Sequence, residues 1–326
     1  MKKNEFVSLC YHYIRPKKEL DEFPKLLGTD IQQFTDHLKM LEGNYEFIST
    51  RDVFEILNQS SYSLNNPGML ITFDDGLSDH FEASKILEKF GIKGTFFIPS
   101  CVTENNLPAN PIIIHYSIAK FGIKKFLSEY ELALKKFNLL NEKNNIEFTE
   151  NKDPWNVIDE IKLKFKYEFS YIDCRKILLE IYENLLLEKL PNFMEISHLT
   201  NSQIKEMLEM GHSIGCHSHS HISIGTSKLT SEEFNTEMIK PKKKLEKRFK
   251  TKIISFSYPF GQSNDCLSTQ NLLEKTNTYK IAFTVNPKVN SIFSSPLELG
   301  RYELYSTDNT KKLKNLLENL HLGNMN

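Results

Sequence analysis

Between residues 5 and 102 the apolar positions alternate between short compact runs and helical spacing. Residues 6–13 read as a strand, and residues 31–42 place Phe34, Leu38 and Leu41 on one helical face. Ser49, Thr50, Arg51 and Asp52 open a second helix that runs through Leu57, with Ser49 or Thr50 available as its cap. Residues 68–73 form a compact apolar strand that runs into Asp74, Asp75 and Gly76; a helix follows, then a strand over residues 94–98. The same rhythm resumes at Ser202: helix to Met210, strand 213–217, helix 231–249, strand 253–258, a helix after Asn264 and strand 281–285. Strands alternating with helices predict a parallel α/β sheet or barrel. After Asn309 a polar-faced helix closes the chain and is expected to fray over its last four residues.

Residues 103–198 break that rhythm. Apart from a polar loop over 141–154, they read as amphipathic helices at 118–138, 155–169 and 174–190. The predicted organisation is therefore an α/β unit in two pieces, residues 1–102 and 199–309, interrupted by a helical insertion at 103–198 and followed by a C-terminal helix and tail at 310–326. A lid, a substrate wall or a subunit interface are all open roles for the insertion, although leucine stripes more often mean ordinary core.

A chain of 326 residues with 40% hydrophobic and 25% charged content builds its core without disulfide staples. Its 41 basic and 42 acidic residues leave a net charge of -1, which provides no long-range field for nucleic acid or anionic lipid. No stretch approaches the roughly 20 apolar residues that span a bilayer. The N-terminal lysines precede only a brief apolar run without a small-residue cleavage site, so a cytoplasmic location is expected. Five scattered cysteines, an odd number without a C-x-x-C pair, fit reduced thiols. Cys216 adjoins a histidine cluster; a small apolar filler is the favoured reading over a ligand.

That cluster places His212, His217, His219 and His221 within ten residues. On an extended segment His217, His219 and His221 share a face; on a coiled one, His217 and His221 still meet at one-turn spacing. Either geometry pairs His217 with His221, leaves His219 ambiguous and sets His212 apart. Two neutral imidazoles held together are a metal-site signal, but a catalytic cation usually takes three protein ligands and keeps one position open. Asp74 and Asp75, at the end of an apolar strand, are the obvious suppliers of the third. Adjacent residues point different ways, so one carboxylate binds metal while the other handles a proton. Gly76 permits the turn that follows.

Four segments occur in a telling order: Thr72-Phe73-Asp74-Asp75-Gly76, Gly94-Thr95-Phe96-Phe97, the stretch Gly211 to His221, and Phe256-Ser257-Tyr258-Pro259-Phe260-Gly261. Together they resemble the signatures of the polysaccharide deacetylase family, over about residues 5–102 and 199–305. The resemblance implies an irregular (β/α) barrel with the helical insertion outside it, and metal-dependent hydrolysis of an N-acetyl group. Carried over residue by residue, it makes Asp75, His217 and His221 metal ligands and Asp74 the catalytic base. Tyr258, Pro259 and Phe260 become the groove wall, with the Phe260 N–H in the oxyanion pocket, and His219 falls on a variable position. The implied cofactor is a divalent cation, generically Zn2+, with Co2+, Ni2+, Mn2+ or Fe2+ able to support the same reaction. Water acidified by the cation loses its proton to Asp74, the oxyanion is held by donors, and the departing amine needs an acid.

Two departures from the family pattern matter. Many relatives carry the acid in a late Leu-x-His motif, but the late histidine here is His321, in the tail helix. Leu9-Cys10-Tyr11-His12 is similar to the opening of one branch of the family, which makes His12 the candidate acid. Many relatives also brace the base with an arginine where Ser257 stands. Arg301 is the candidate replacement, with a plain surface arginine as the alternative.

The expected substrate is an acetamido sugar in a glycan or a smaller precursor. Other small amides on the same fold, non-haem iron oxygenation through a two-histidine, one-carboxylate triad, and non-catalytic carbohydrate binding are the competing readings. The spare base Asp74 argues against the oxygenase, and the complete set of four residues argues against the non-catalytic binder. The sequence leaves the oligomeric state open.

Overall fold

The structure, a computed structural model, describes residues 4–59, 62–149 and 152–322. Lys2, Lys3, parts of the polar loop at 141–154 and the last four residues, expected to fray, lie outside the described residues.

Among the described residues, ten short strands follow in chain order: β1 (Phe6–Tyr11), β2 (Ile14–Arg15), β3 (Thr29–Asp30), β4 (Glu46–Ile48), β5 (Gly68–Phe73), β6 (Thr95–Ile98), β7 (Ser213–Cys216), β8 (Ser255–Ser257), β9 (Ile281–Phe283) and β10 (Tyr302–Glu303). Eight of them form one sheet in the order β10-β1-β5-β6-β7-β8-β9, with β4 also on β5, while β2 and β3 pair separately. Every ladder is parallel. All six residues of β1 and of β5 are buried, as expected of strands covered on both faces. The sheet curls toward closure: Leu299 N–H donates to Ala282 O at 2.9 Å and Thr284 N–H donates to Leu299 O at 2.8 Å, laying the approach to β10 along β9. The result is an irregular (β/α) barrel with helices around it.

Because the strands run in parallel, their C-terminal ends share one rim. Asp74 and Asp75 follow β5, His217 follows β7, Tyr258 to Phe260 follow β8, His12 follows β1, and Glu303 ends β10. This topology brings chain-distant residues together.

Strand β5 spans its expected run, whereas β1, β6, β7, β8 and β9 are shorter than theirs, and β2, β3, β4 and β10 are too brief to leave a periodic signal. Ser49 proves to be the cap of helix Thr50–Leu57, in a reciprocal box with Asp52. The expected single helix at 118–138 is two, Asn110–Phe121 and Ile123–Lys136, broken at Gly122, whose φ of 82° leaves the helical region. Three other expected helices, at 155–169, 174–190 and 231–249, each contain a wide turn: Lys164–Glu168, Tyr182–Leu187 and Asn235–Ile239. The last precedes Pro241, which has no N–H with which to continue the ordinary ladder.

The helices between 110 and 187 bury their apolar stripes in a cluster of their own, including Ile112, Tyr116, Phe126, Tyr130, Ile177 and Leu178. Tyr13, Phe23 and Leu77 of the barrel join it, so the stripes are core. The segment also returns to the barrel beside the acidic turn: Ser78 N–H donates to Ser197 O at 3.1 Å and Leu199 N–H to Gly76 O at 3.0 Å. Leu313, Leu317 and Leu320 are buried on the inner face of the final helix, Thr310–Leu322.

Candidate active site

Asp75, His217 and His221 converge: one potential ligand atom from each lies within 4.8 Å of the others. Asp75 Oδ1 stands 3.4 Å from His217 Nε2 and 3.1 Å from His221 Nε2. All three residues are buried. His217 Nδ1–H donates to the Ser257 carbonyl at 2.8 Å, which turns the Nε2 lone pair toward Asp75. Asp75 Oδ1 and His217 Nε2 are both buried without a hydrogen-bond partner among the described residues. Such atoms are costly unless something pairs with them, and a cation bound by all three side chains fits that need. Burial opposes the Asp75 charge, but His221 and His217 overcome it and hold the carboxyl well below its ordinary range.

The backbone here is specialised. Asp75 and Gly76 have φ of 75° and 60°, and Ser218 and His221 have φ of 59° and 62°. Left-handed backbone at non-glycine residues costs on the order of 1–3 kcal/mol and persists only where the surroundings over-determine it.

Asp74 faces the other way, as two adjacent carboxylates should. Arg301 grips it with both prongs, Nη1 to Oδ1 at 2.8 Å and Nη2 to Oδ2 at 2.7 Å, while Ser257 Oγ–H donates to Oδ2 at 2.8 Å. Arg301 is fully buried, which removes the surface alternative. Its remaining bonds reach Thr284 O, Thr72 Oγ1 and Ser257 Oγ, so all five donors are used. Burial raises the Asp74 pKa, but Arg301 and then His217 more than offset this, so the carboxyl stays ionised far into acid.

His12 lies on the same side: one of its ring nitrogens, the Cys10 thiol and an Asp74 oxygen are within 4.8 Å of one another. Its Nδ1 is 3.5 Å from Glu303 Oε1, its ring is about a third exposed, and its carbonyl accepts from His80 Nε2–H at 2.9 Å. Phe260 is half-buried, with a φ of 62° and its ring edge-on to His221 at 4.7 Å. Pro259 is buried beside it. Tyr258 differs from the expectation: its hydroxyl donates to Leu297 O at 2.9 Å inside the core, so its side chain lines no groove.

The other cluster residues are structural. His212 accepts from Gly94 N–H at 3.1 Å and meets Ser84 O at 3.0 Å; His219 Nδ1 meets Ser100 Oγ at 2.7 Å. Cys216 is core, its thiol pushed up to about 12 by burial.

Several residues near the site escape pattern reading. Tyr13 hydroxyl meets His115 Nδ1 at 3.2 Å, and His115 feels the charges of Asp75, His221 and His12, so helix Asn110–Phe121 approaches the site. Lys166 lies 4.4 Å from the Phe260 ring centre and 3.0 Å from Asp265 Oδ2. Glu303 sits on a two-residue strand with no periodic signal. Glu237 did leave one, since it falls on the buried stripe of Phe234, Met238, Pro241 and Leu245, where an acid needs a reason.

Residues 186–279 match the polysaccharide deacetylase family model. The matched stretch contains the histidine motif and the Pro259-Phe260 segment, while the aspartates are joined to it by the fold. The curated protein YxkH of Bacillus subtilis (strain 168), named as a polysaccharide deacetylase, is 34% identical over 90 residues, covering 28% of this chain and 30% of that relative's length. Among solved structures, the Streptococcus pyogenes deacetylase PplD in complex with acetate is similar with a TM-score of 0.60 at 18% identity, covering 96% of this chain and 98% of that one. IcaB from Ammonifex degensii gives 0.56 at 17% identity, covering 95% of each chain. A de-N-acetylase from Aggregatibacter actinomycetemcomitans gives 0.56 at 13% identity, covering 96% of this chain and 99% of that one. At these identities the likeness establishes the family's fold, and its coverage extends into residues 103–198, which carry none of the four motifs.

Proposed function

We propose that this protein is a metal-dependent hydrolase of the polysaccharide deacetylase type that removes the N-acetyl group from an acetamido sugar in a glycan or glycan precursor. The observation that carries the reading is the buried convergence of Asp75, His217 and His221 around two unpartnered polar atoms, with the braced carboxylate of Asp74 beside it. When bound there, a divalent cation, generically Zn2+, acidifies water and polarises the acetyl carbonyl.

The chain's own residues supply the rest. Asp74 is ionised at any working pH and held in one orientation by Arg301 and Ser257, so it accepts a proton along a fixed direction. Its low basicity suits it to an already acidic donor. The Phe260 N–H, presented by a left-handed backbone, serves as oxyanion donor. An amine leaves only once protonated, and His12, partly exposed on the Asp74 side and set against Glu303, is the acid in this reading.

The test is an acetate-release screen over acetylated sugars, their oligomers and their nucleotide conjugates, run on protein of known metal content. Acetate release that tracks metal occupancy supports the proposal. Metal-loaded protein that releases no acetate from any acetamido sugar overturns it.

A further inference from the structure

The histidine loop is gripped from both sides. Its carbonyls at Ser218, His219 and Ser220 accept from the N–H groups of Ser100, Cys101 and Asn110 at 3.1, 3.0 and 3.2 Å. Its donors converge on one fully buried carboxylate: His219 N–H reaches Glu237 Oε2 at 3.1 Å, Ser220 N–H reaches the same oxygen at 3.0 Å, and Ser220 Oγ–H reaches Oε1 at 2.8 Å. His221 N–H then bonds Ser218 Oγ at 3.0 Å. Between these anchors Ser218 and His221 hold positive φ, a conformation that a free loop would abandon. The clamp therefore fixes where the His221 ring stands relative to Asp75 and His217.

We propose that Glu237 is a positioning residue that sets the affinity of the Asp75, His217 and His221 site for its cation. It touches none of the three side chains directly and acts through the loop backbone. A carboxylate suits this job because one oxygen takes two backbone donors while the other takes the serine hydroxyl. Its three hydrogen bonds also account for an acid on an otherwise apolar helical stripe. This inference rests on the metal reading above.

The experiment measures Zn2+ dissociation constants of folded apo-protein by competition with a chromophoric chelator, without substrate, and records the Co2+ absorption spectrum. Glu237→Leu is expected to weaken Zn2+ binding about ten- to a hundred-fold, the range for residues that orient ligands, and to alter the Co2+ spectrum. Glu237→Asp, too short to reach both ends of the loop, is expected to weaken it by an intermediate amount and decides the matter if the leucine variant does not fold. Glu237→Gln keeps an oxygen for the two backbone donors and should restore most of the affinity. A Zn2+ dissociation constant within about twofold of wild type in Glu237→Asp, and in Glu237→Leu where it folds, overturns the proposal while leaving the deacetylase reading intact. Wild-type protein that binds neither cation overturns both.

Discussion

Arg301 and Asp74 form a two-pronged ion pair, wholly buried, between residues 227 positions apart in the chain. Breaking a buried pair from one side strands the other charge, at a cost of roughly 3–5 kcal/mol. Arg301→Leu should therefore lower the melting temperature sharply. It should also remove the strongest influence that opposes burial at Asp74, so its pKa rises and the acidic limb of the kcat/KM profile moves to higher pH. Arg301→Lys, which keeps the charge but loses the fork, should fall between the two. Calorimetry and a pH–rate profile check both effects, and an acidic limb unmoved in Arg301→Leu would remove Arg301 from the account of the base.

The division of labour between the two aspartates gives a second expectation. Asp75→Ala, His217→Ala and His221→Ala should each lose bound metal, because each removes one of three converging ligands. Asp74→Asn should retain metal and lose turnover, since the amide keeps the shape but accepts no proton. Chelation of wild type should abolish acetate release, and re-addition of the cation should restore it. Metal analysis beside turnover separates the cases; equal metal loss in all four variants would contradict the assignment.

His12 should behave as an acid and not as a ligand. His12→Gln is expected to lower kcat by about a hundred- to ten-thousand-fold with metal content unchanged. Glu303→Gln, which removes only the charge 3.5 Å from His12, should give a smaller loss of kcat, again with metal content unchanged. A His12→Gln enzyme with wild-type kcat would move the acid elsewhere.

The parts of the site that were legible in the chain were those whose chemistry is local to a motif. Asp74 and Asp75 end an apolar strand, and His217 and His221 share a spacing that brings them together under either backbone geometry. The alternation of strands and helices likewise fixed which strand ends share a rim. Arg301 could be named but not placed, because its burial depends on β9 and the chain before β10 closing over it, and two-residue strands carry no period. The family resemblance puts Tyr258 in the groove wall; only the fold shows its hydroxyl turned inward to Leu297. The helical insertion was legible as helices, but its approach to the site through His115 and Lys166 depends on tertiary docking. Gly122 broke one expected helix because a single positive φ outweighs a good apolar stripe.

Three buried histidines predict how stability depends on pH. His80, His115 and His198 are each pushed down to about 4, chiefly by burial. They hold structure in their neutral forms: His80 Nε2–H donates to His12 O at 2.9 Å, and His198 Nε2 accepts from Ala109 N–H at 3.3 Å. In the unfolded chain they titrate near 6.5. Between those values the unfolded state binds more protons, so their contribution is complete above about pH 6.5 and is lost as pH falls toward 4. The depressed carboxyls Asp74 and Asp75 act with the same sign but only below about pH 4, where unfolded aspartate takes up its proton. Metal-free protein should thus show a melting temperature that declines from pH 6.5 to 4.5, before the aspartates contribute. His198→Gln, with an amide that can replace the neutral ring as acceptor, should flatten part of that decline. A melting temperature constant across this interval in wild type would mean that the three rings are protonated as readily in the folded protein as in the unfolded chain.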